Sequence, residues 1–527
     1  MGGAPTPHVA NVARLARLTP LTLAGANPQG ARPAYDRASL RGGIVHLGIG
    51  AFARAHLAAC NEAAIAHSGD LRFGIVGVSL RSAETRDALA PQAGLYTLAL
   101  RDADEHGQPR QRVSVIGNLI ALMVAPEDPA AVVSRIAHAD TRIVSLTVTE
   151  KGYCRDLATS GLQIEHADIA HDLDEPDRPR SAVGLIVRGL QQRRRLGRGP
   201  LTLMSLDNLP SNGNLLRQLV SAFAAQTDVE LATWIDVECS FPNSTVDRIV
   251  PRTTPADRAS IGADIGLDDA WPVVAEPYFE WAVEDHFCAG RPAWEAGGAR
   301  LVESAACHER LKLRMVNASH SALAYLAVGA GVATVNAAMR MPHMRHYLQR
   351  LMRDEIATTL GDIPGIDLAA FQAQLLARFA NPALAHLTRQ IATDGSQKIP
   401  QRWLGTVGDR LARGQAVPLL ALAIAAWLRY LEGSDEAGGV HSIQDPASHD
   451  LALQWRRGEV LAAGASDALS AERIRVATML EFAPVFGELG HASVLVRAVA
   501  EQALSLRQRG VVGTLAAAVA SAAPVSR

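Results

Sequence analysis

Gly43-Ile44-Val45-His46-Leu47-Gly48-Ile49-Gly50-Ala51-Phe52-Ala53 reads as a short β-branched strand running into a turn of small residues. A helical stretch, Ala51 to about His67, follows. Gly48 and Gly50, with Ala53 in the third small position, match G-x-G-x-x-G/A. Such residues let the backbone turn sharply, approach a pyrophosphate closely and pack the helix on the strand. The helix N-terminus then offers free N–H groups to the phosphates. A second apolar run, Phe73 to Leu80, lies where the next strand of a βαβ unit belongs, and it ends at Ser79-Leu80-Arg81-Ser82-Ala83-Glu84. An acidic group after that strand accepts hydrogen bonds from the adenosine ribose of a dinucleotide. Glu84 is the candidate, with Arg81 close by. The bland alternative for Glu84 is an ordinary helix-start acid.

Working outward, the N-terminal half alternates short β-rich runs with helical stretches. Candidate strands are Ile44–Leu47, Phe73–Leu80, Ile143–Val148, Leu201–Ser205 and Val237–Ser240. The alternation argues for an α/β fold, a doubly wound parallel sheet of Rossmann type with helices on both faces. Tyr96–Leu100 and Val113–Ile116 read as a hairpin inserted in that sheet. Asp207, Asn208 and Asp247 fall just beyond strand C-terminal ends, where α/β ligands bind. Gly290, Pro292, Gly297 and Gly298 punctuate the chain, and the pattern changes there. Runs at 311–332, 344–360, 368–380, 418–431 and 492–507 then read as helices. Two domains are expected: residues 1–299, sheet-based with an N-terminal arm packed on it, and residues 300–527, mainly α-helical.

Early in the second domain stands Lys312-Leu313-Arg314-Met315-Val316-Asn317-Ala318-Ser319-His320. At roughly 100° per residue, Lys312, Asn317 and His320 fall within about 140° of one another around a helix. Three polar groups on one face of an apolar helix are costly to bury without a purpose. A desolvated lysine can act as a general base, and the amide and imidazole can orient a hydroxyl or polarise a carbonyl. That is equipment for metal-free alcohol oxidation beside a hydride acceptor. The bland reading is a snorkelling Lys312 and two satisfied helix polar groups.

With both segments in view, the chain resembles the long-chain polyol and sugar-acid dehydrogenases, the mannitol dehydrogenase family, from about Gly43 onward. The resemblance is carried by Gly48 to His56, by Ser205-Leu206-Asp207-Asn208-Leu209-Pro210 and by Phe241-Pro242-Asn243-Ser244-Thr245-Val246-Asp247-Arg248. Further motifs are Glu276-Pro277-Tyr278 through Glu284-Asp285, Lys312 to His320, and Asp394-Gly395-Ser396-Gln397-Lys398-Ile399-Pro400. It implies an NAD-type cofactor and no metal; Gly48, Gly50, Phe52, Arg81 and Glu84 are the residues expected to hold the cofactor, with Glu84 favouring NAD over NADP and Arg81 working against that preference. It makes Lys312 the base, Asn208 and Asn317 the donors to the substrate oxygen, and His320 a substrate-positioning group. Glu309 matches an acid that moves the lysine's proton toward solvent. Asp247 and Lys398 match polar substrate-site residues. Leu206 and Ala318 depart from the usual Cys and Gly, and the acid at Glu84 is often Asp.

Within the family the expected reaction is the interconversion of D-mannonate and D-fructuronate. Lys151, in Glu150-Lys151-Gly152-Tyr153-Cys154, stands where mannitol dehydrogenases tend to have glycine, and Gln397, Gln401 and Arg402 resemble the uronate-reducing branch. A cation near the substrate terminus, Lys151 or Arg402, would pair with a carboxylate. Mannitol 2-dehydrogenase or arabinitol dehydrogenase is the alternative, and a non-catalytic NAD or sugar-acid sensor the remote one. Bulk properties agree with a small-molecule enzyme. The 527 residues are 48% hydrophobic and 20% charged, with net charge −2, so no basic field argues for nucleic acid. Five scattered cysteines, without C-x-x-C, suggest neither zinc nor a disulfide framework, and a cytoplasmic protein is expected. No stretch is apolar enough to span a membrane. Met1 to Thr6 nominally fits a myristoylation pattern, for which a chance match is the reading taken. Arg193-Arg194-Arg195 reads as a solvated helix end, and with no evident dimer motif a monomer is expected.

Overall fold

The computed structural model describes residues 15–27, 29–104, 108–156, 161–383 and 386–520. The myristoylation pattern lies outside them, as do residues 1–14 of the expected arm; in its described part Leu18 is buried and its N donates to Asp268 O at 2.9 Å. The chain divides into two compact units, Met1–Arg101 with Arg110–Ala305, and Asp102–Pro109 with Ala306–Arg527.

In the first unit, β1 (Ile44–Leu47) pairs in parallel with β2 (Ile75–Ser79) and β6 (Ile143–Leu146). Counting β3 (Tyr96–Ala103), β4 (Pro109–Ile116), β5 (Leu119–Val124) and β7 (Thr202–Ser205), the five-stranded sheet runs β5-β2-β1-β6-β7. Its own strands, renumbered, follow the Rossmann order 3-2-1-4-5. Period-two alternation sets the faces. Ile44, Ile75 and Ile143 enter one core, while Val45, Leu47, Val144, Leu146 and Leu203 enter another. Every strand of β1, β6 and β7 is buried throughout, as a sheet covered on both sides requires.

Several expectations are corrected. Val237 belongs to a helix, Val229–Glu238, and only Ser240 touches the sheet, as a single bridge to Thr202. Its Asp228 N-cap, accepting from Leu231 N, fixes that helix start more strongly than the apolar run favours a strand. Conversely β5, which is not among the candidate strands, is an edge strand of the main sheet. The hairpin β3–β4 forms, but in a separate sheet of order β4-β3-β9, where β9 is Val273–Ala275. A third sheet joins β11 (Arg300–Val302), β10 (Glu280–Glu284) and β8 (Ser244–Asp247). The helix after β1 is two helices, α1 (Ala51–Ala55) and α2 (Leu57–Ser68), broken at His56 with φ −110° and ψ −80°. The ring of His56 stacks between Phe52 and Phe279. Arg193 is buried and donates to His138 O at 2.6 Å, so the arginine cluster is only partly a solvated end.

The second unit is helical. Its core gathers the helices Ala318–Gly329 and Pro418–Tyr430 with Ser493–Ala520, which bends at Gly510, φ 65°. Trp403, Trp427, Tyr325 and Tyr347 are its largest sealed side chains. Among the described residues three stretches wind as π-helix: Lys312–Asn317, Leu351–Ile356 and Pro400–Leu404. No helix among the described residues is long and apolar enough to cross a membrane.

Candidate active site

In the first unit a groove of about 1110 Å³ opens at the C-terminal ends of the central strands. Its floor is Gly48, Ile49 and Gly50 after β1, with Thr147 and Val148 after β6. This is the point where the sheet order reverses, the place α/β folds offer a ligand. Gly48 has φ +90°, and a Cβ there would stand 2.1 Å from the carbonyl oxygen of Thr147. Gly50 is different: its φ is −83° and an added Cβ would meet only Gly48 O, at 3.9 Å. The first glycine is required by the protein, whereas the second leaves space on the groove side. That fits a pyrophosphate approaching the backbone.

The turn is braced from below. His46 lies buried in β1, its Nδ1 2.8 Å from Ser145 Oγ and its Nε2 2.9 Å from Thr147 Oγ1. Thr147 Oγ1 in turn donates to Gly48 O at 2.8 Å. Burial pushes the His46 pKa down to about 3, so this brace is a neutral imidazole. Asp207, after β7, accepts from Val148 N (2.9 Å), Thr149 N (3.1 Å) and Tyr153 Oη (2.9 Å). It therefore clamps the loop that carries Lys151. Burial raises the Asp207 pKa, and those three donors oppose the rise.

The sequence-derived residues of this unit distribute as follows. Gly48, Gly50, Arg81 and Lys151 all line the groove, Arg81 with Ser79 and Ser82 at the β2 end. Glu84 opens the helix Glu84–Leu89, is exposed and is not among the lining residues, nor is Phe52. Asn208 is exposed on the turn beyond β7, between Asp207 and the buried Asn212, whose amide bonds Ser205 O and Asp207 O at 3.1 Å each. Asp247 ends β8 opposite Glu280. The structure also gathers Cys154, His166 and Asp168, with ligand atoms within 4.8 Å of one another, a group that no sequence spacing announced.

In the second unit Glu309 lies on the helix Ala306–Leu311, one turn before Lys312. Lys312, 7% exposed, begins the π stretch that ends at Asn317. An α-helix offsets residues five apart by about 140°. A π turn closes from i to i+5, so it aligns the pair more nearly along the axis. The expected α-helix is corrected to a π-helix over this span, and it is this winding that brings the spacing of five toward one face. The π-helix is secured from the third such stretch: Arg402 Nη1 donates to Asn317 O (3.4 Å) and Ser321 Oγ (2.6 Å), and Trp403 Nε1 to Ala318 O (3.1 Å). Lys398 Nζ donates to Ile391 O and Thr393 Oγ1. The His320 ring stacks on Phe379, with centroids 4.9 Å apart, and meets His386 edge-on at 5.1 Å. Burial pushes the His320 pKa well down, and the neighbouring His386 together with the positive charges of Arg402, Arg378 and Lys398 pushes it further. Its Nε2 is buried with no hydrogen-bond partner.

The sequence matches the mannitol dehydrogenase Rossmann domain over residues 42–296 and the mannitol dehydrogenase C-terminal domain over residues 306–507. This chain belongs to the mannitol dehydrogenase family of oxidoreductases. The family's Rossmann domain coincides with the sheet unit that carries the groove, and its C-terminal domain with the helices that carry Lys312. Among its relatives, the uncharacterized oxidoreductase YeiQ of Escherichia coli is 40% identical over 86% of this chain and 90% of its own length. Mannitol 2-dehydrogenase of Phaeosphaeria nodorum is 38% identical over 80% of this chain and 74% of its own. A Pseudomonas fluorescens mannitol 2-dehydrogenase, solved as a ternary complex with NAD and D-mannitol, superimposes with TM-score 0.84 at 36% identity, over 96% of this chain and 100% of that one.

Proposed function

We propose that this oxidoreductase uses NAD to interconvert a secondary alcohol of a linear polyol or sugar acid with the 2-keto sugar, with D-mannonate and D-fructuronate as the preferred pair. The observation that carries the acid reading is the surroundings of His320. Its partnerless Nε2 lies in the field of Arg378, Lys398 and Arg402. A substrate carboxylate is stabilised in such a field, whereas a neutral polyol gains little from it. A second reading, D-mannitol and D-fructose, is supported by the relatives named mannitol 2-dehydrogenase. We also assign the protein to the cytoplasm, in keeping with its five free thiols.

NAD, bound over Gly48 and Gly50 with Arg81 at the rim, would supply the hydride acceptor. The remaining work falls to the protein. Lys312 Nζ takes the hydroxyl proton, and Glu309, one turn away, passes it toward solvent. Asn317, aligned with Lys312 by the π turn, donates to the substrate oxygen as negative charge develops, and Asn208 is the second donor. His320 orients a neighbouring substrate group through Nε2. Asp247, Lys398, Lys151 and Arg402 bind the rest of the substrate. Glu84 would repel a 2′-phosphate, whereas Arg81 could pair with one, so both cofactors belong in the test. The experiment is a panel of fructuronate, fructose, tagaturonate and xylulose with NADH and NADPH. The highest kcat/KM for fructuronate with NADH is expected. Preference for fructose overturns the acid reading in favour of the mannitol one.

A further inference from the structure

His320 is not the only imidazole in the second unit with an unused nitrogen. His386, whose ring meets it edge-on at 5.1 Å, has its Nδ1 buried and without a hydrogen-bond partner. A buried polar atom without a partner costs on the order of 1–3 kcal/mol. Such atoms are uncommon in native proteins, and each calls for an explanation. Two on adjacent rings point to one ligand that satisfies both.

His386 is also held in place. Its carbonyl accepts from Val335 N at 3.0 Å. Leu387 bridges Thr334, and Thr388 N donates to Ala333 O at 2.9 Å, with Thr388 Oγ1 donating to Val332 O at 2.8 Å. The segment 386–388 is therefore stitched to 332–335 by its backbone, and the ring projects from a fixed base. His320 is fixed as firmly, by its helix and by the stacked ring of Phe379. Burial lowers the pKa of His386 too. A neutral imidazole nitrogen either donates or accepts, according to tautomer, and so suits a hydroxyl, which does both.

We propose that His386 is a substrate-positioning residue, paired with His320 so that the two imidazoles receive neighbouring hydroxyl groups of an acyclic sugar chain. This rests on the reaction proposed above and adds to it a requirement for vicinal hydroxyls in the substrate. The two nitrogens fix the rotation of the chain and hence which carbon is presented for hydride transfer. His386 acts on orientation and binding, not on the proton.

The test uses the full-length enzyme with its best substrate from the panel and the analogue of that sugar lacking one chain hydroxyl. His386→Leu is expected to raise KM roughly tenfold, with a smaller change in kcat and an unchanged Kd for NADH. His386→Asn, which keeps a donor and an acceptor, should recover part of the loss. Wild-type enzyme should lose a similar factor on one deoxy analogue, and His386→Leu should be indifferent to that same deletion. Wild-type KM in His386→Leu, or equal sensitivity of both enzymes to every deoxy analogue, overturns the pairing while leaving the reaction in place. Absence of wild-type turnover on the whole panel overturns the reaction, and the pairing with it. Should His386→Leu fail to fold, His386→Asn with the deoxy analogues decides by the same comparison.

Discussion

Gly48 and Gly50 occupy one turn yet should fail in opposite ways when each receives a methyl group. In Gly48→Ala the new Cβ would stand 2.1 Å from Thr147 O at a backbone φ of +90°. The strained φ costs roughly 1–2 kcal/mol, and overpacking against backbone adds about 1–3 kcal/mol. Thr147 cannot yield cheaply, because it bonds both Gly48 O and His46. Gly48→Ala should therefore lower Tm by several degrees, at about 2–4 °C per kcal/mol for a unit of this size. Gly50→Ala meets no obstacle in the protein, its nearest atom being 3.9 Å away in extended backbone. The substitution should leave Tm unchanged or raise it slightly, since Gly→Ala at a compatible site stabilises by about 0.4–1 kcal/mol. Its methyl would instead occupy space on the groove side where a pyrophosphate must approach, and dinucleotide affinity should fall at least roughly tenfold. Thermal unfolding followed by circular dichroism, with NADH titration by fluorescence, measures both. Wild-type NADH affinity in Gly50→Ala would refute the assignment of this groove to the cofactor.

Lys312→Ala should reduce kcat by roughly a hundred- to ten-thousandfold while NADH still binds, and near-normal kcat would remove Lys312 as the base. Lys151→Gly should lower kcat/KM for fructuronate by roughly ten- to a hundredfold, the worth of a charge-assisted contact, and affect fructose far less; equal losses would detach Lys151 from any carboxylate. Prolonged EDTA treatment should leave kcat unchanged, because the proton chemistry is assigned to Lys312, and a loss restored by zinc would overturn that assignment. His46 makes the sheet unit acid-sensitive. Its pKa is about 3 folded and about 6.5 unfolded, so the unfolded chain takes the proton first as pH falls. The contribution is complete above about pH 6.5, falls by about 2 kcal/mol by pH 5 and is lost by about pH 3. Urea unfolding of wild type and His46→Asn at pH 7 and pH 5 should show a flatter pH dependence in the variant.

Much of the molecule can be read locally. Strand β1 and the glycine turn follow from composition alone, because β-branched residues favour a buried strand and only glycine tolerates φ +90° beside a carbonyl. The spacing of Lys312, Asn317 and His320 marks a polar face, and the order of several motifs marks the family. What the sequence could not supply depended on partners distant along the chain. Edge strand β5 exists because β2 offers it a parallel partner, whereas Val237 lost its strand to a capped helix. The winding of Lys312–Asn317 as π-helix is held by Arg402 and Trp403, some 85 residues away. Asp207 became a loop clamp through amides after β6, and Glu84 lies outside the groove lining that Arg81 joins. The unused nitrogens of His320 and His386 emerge only when two separate segments are brought edge to edge. Local backbone preference and periodicity determine which elements form. Which polar atoms are left for a ligand is decided by tertiary packing, because a hydrogen bond is satisfied or orphaned only by what lies within about 3 Å of it in space.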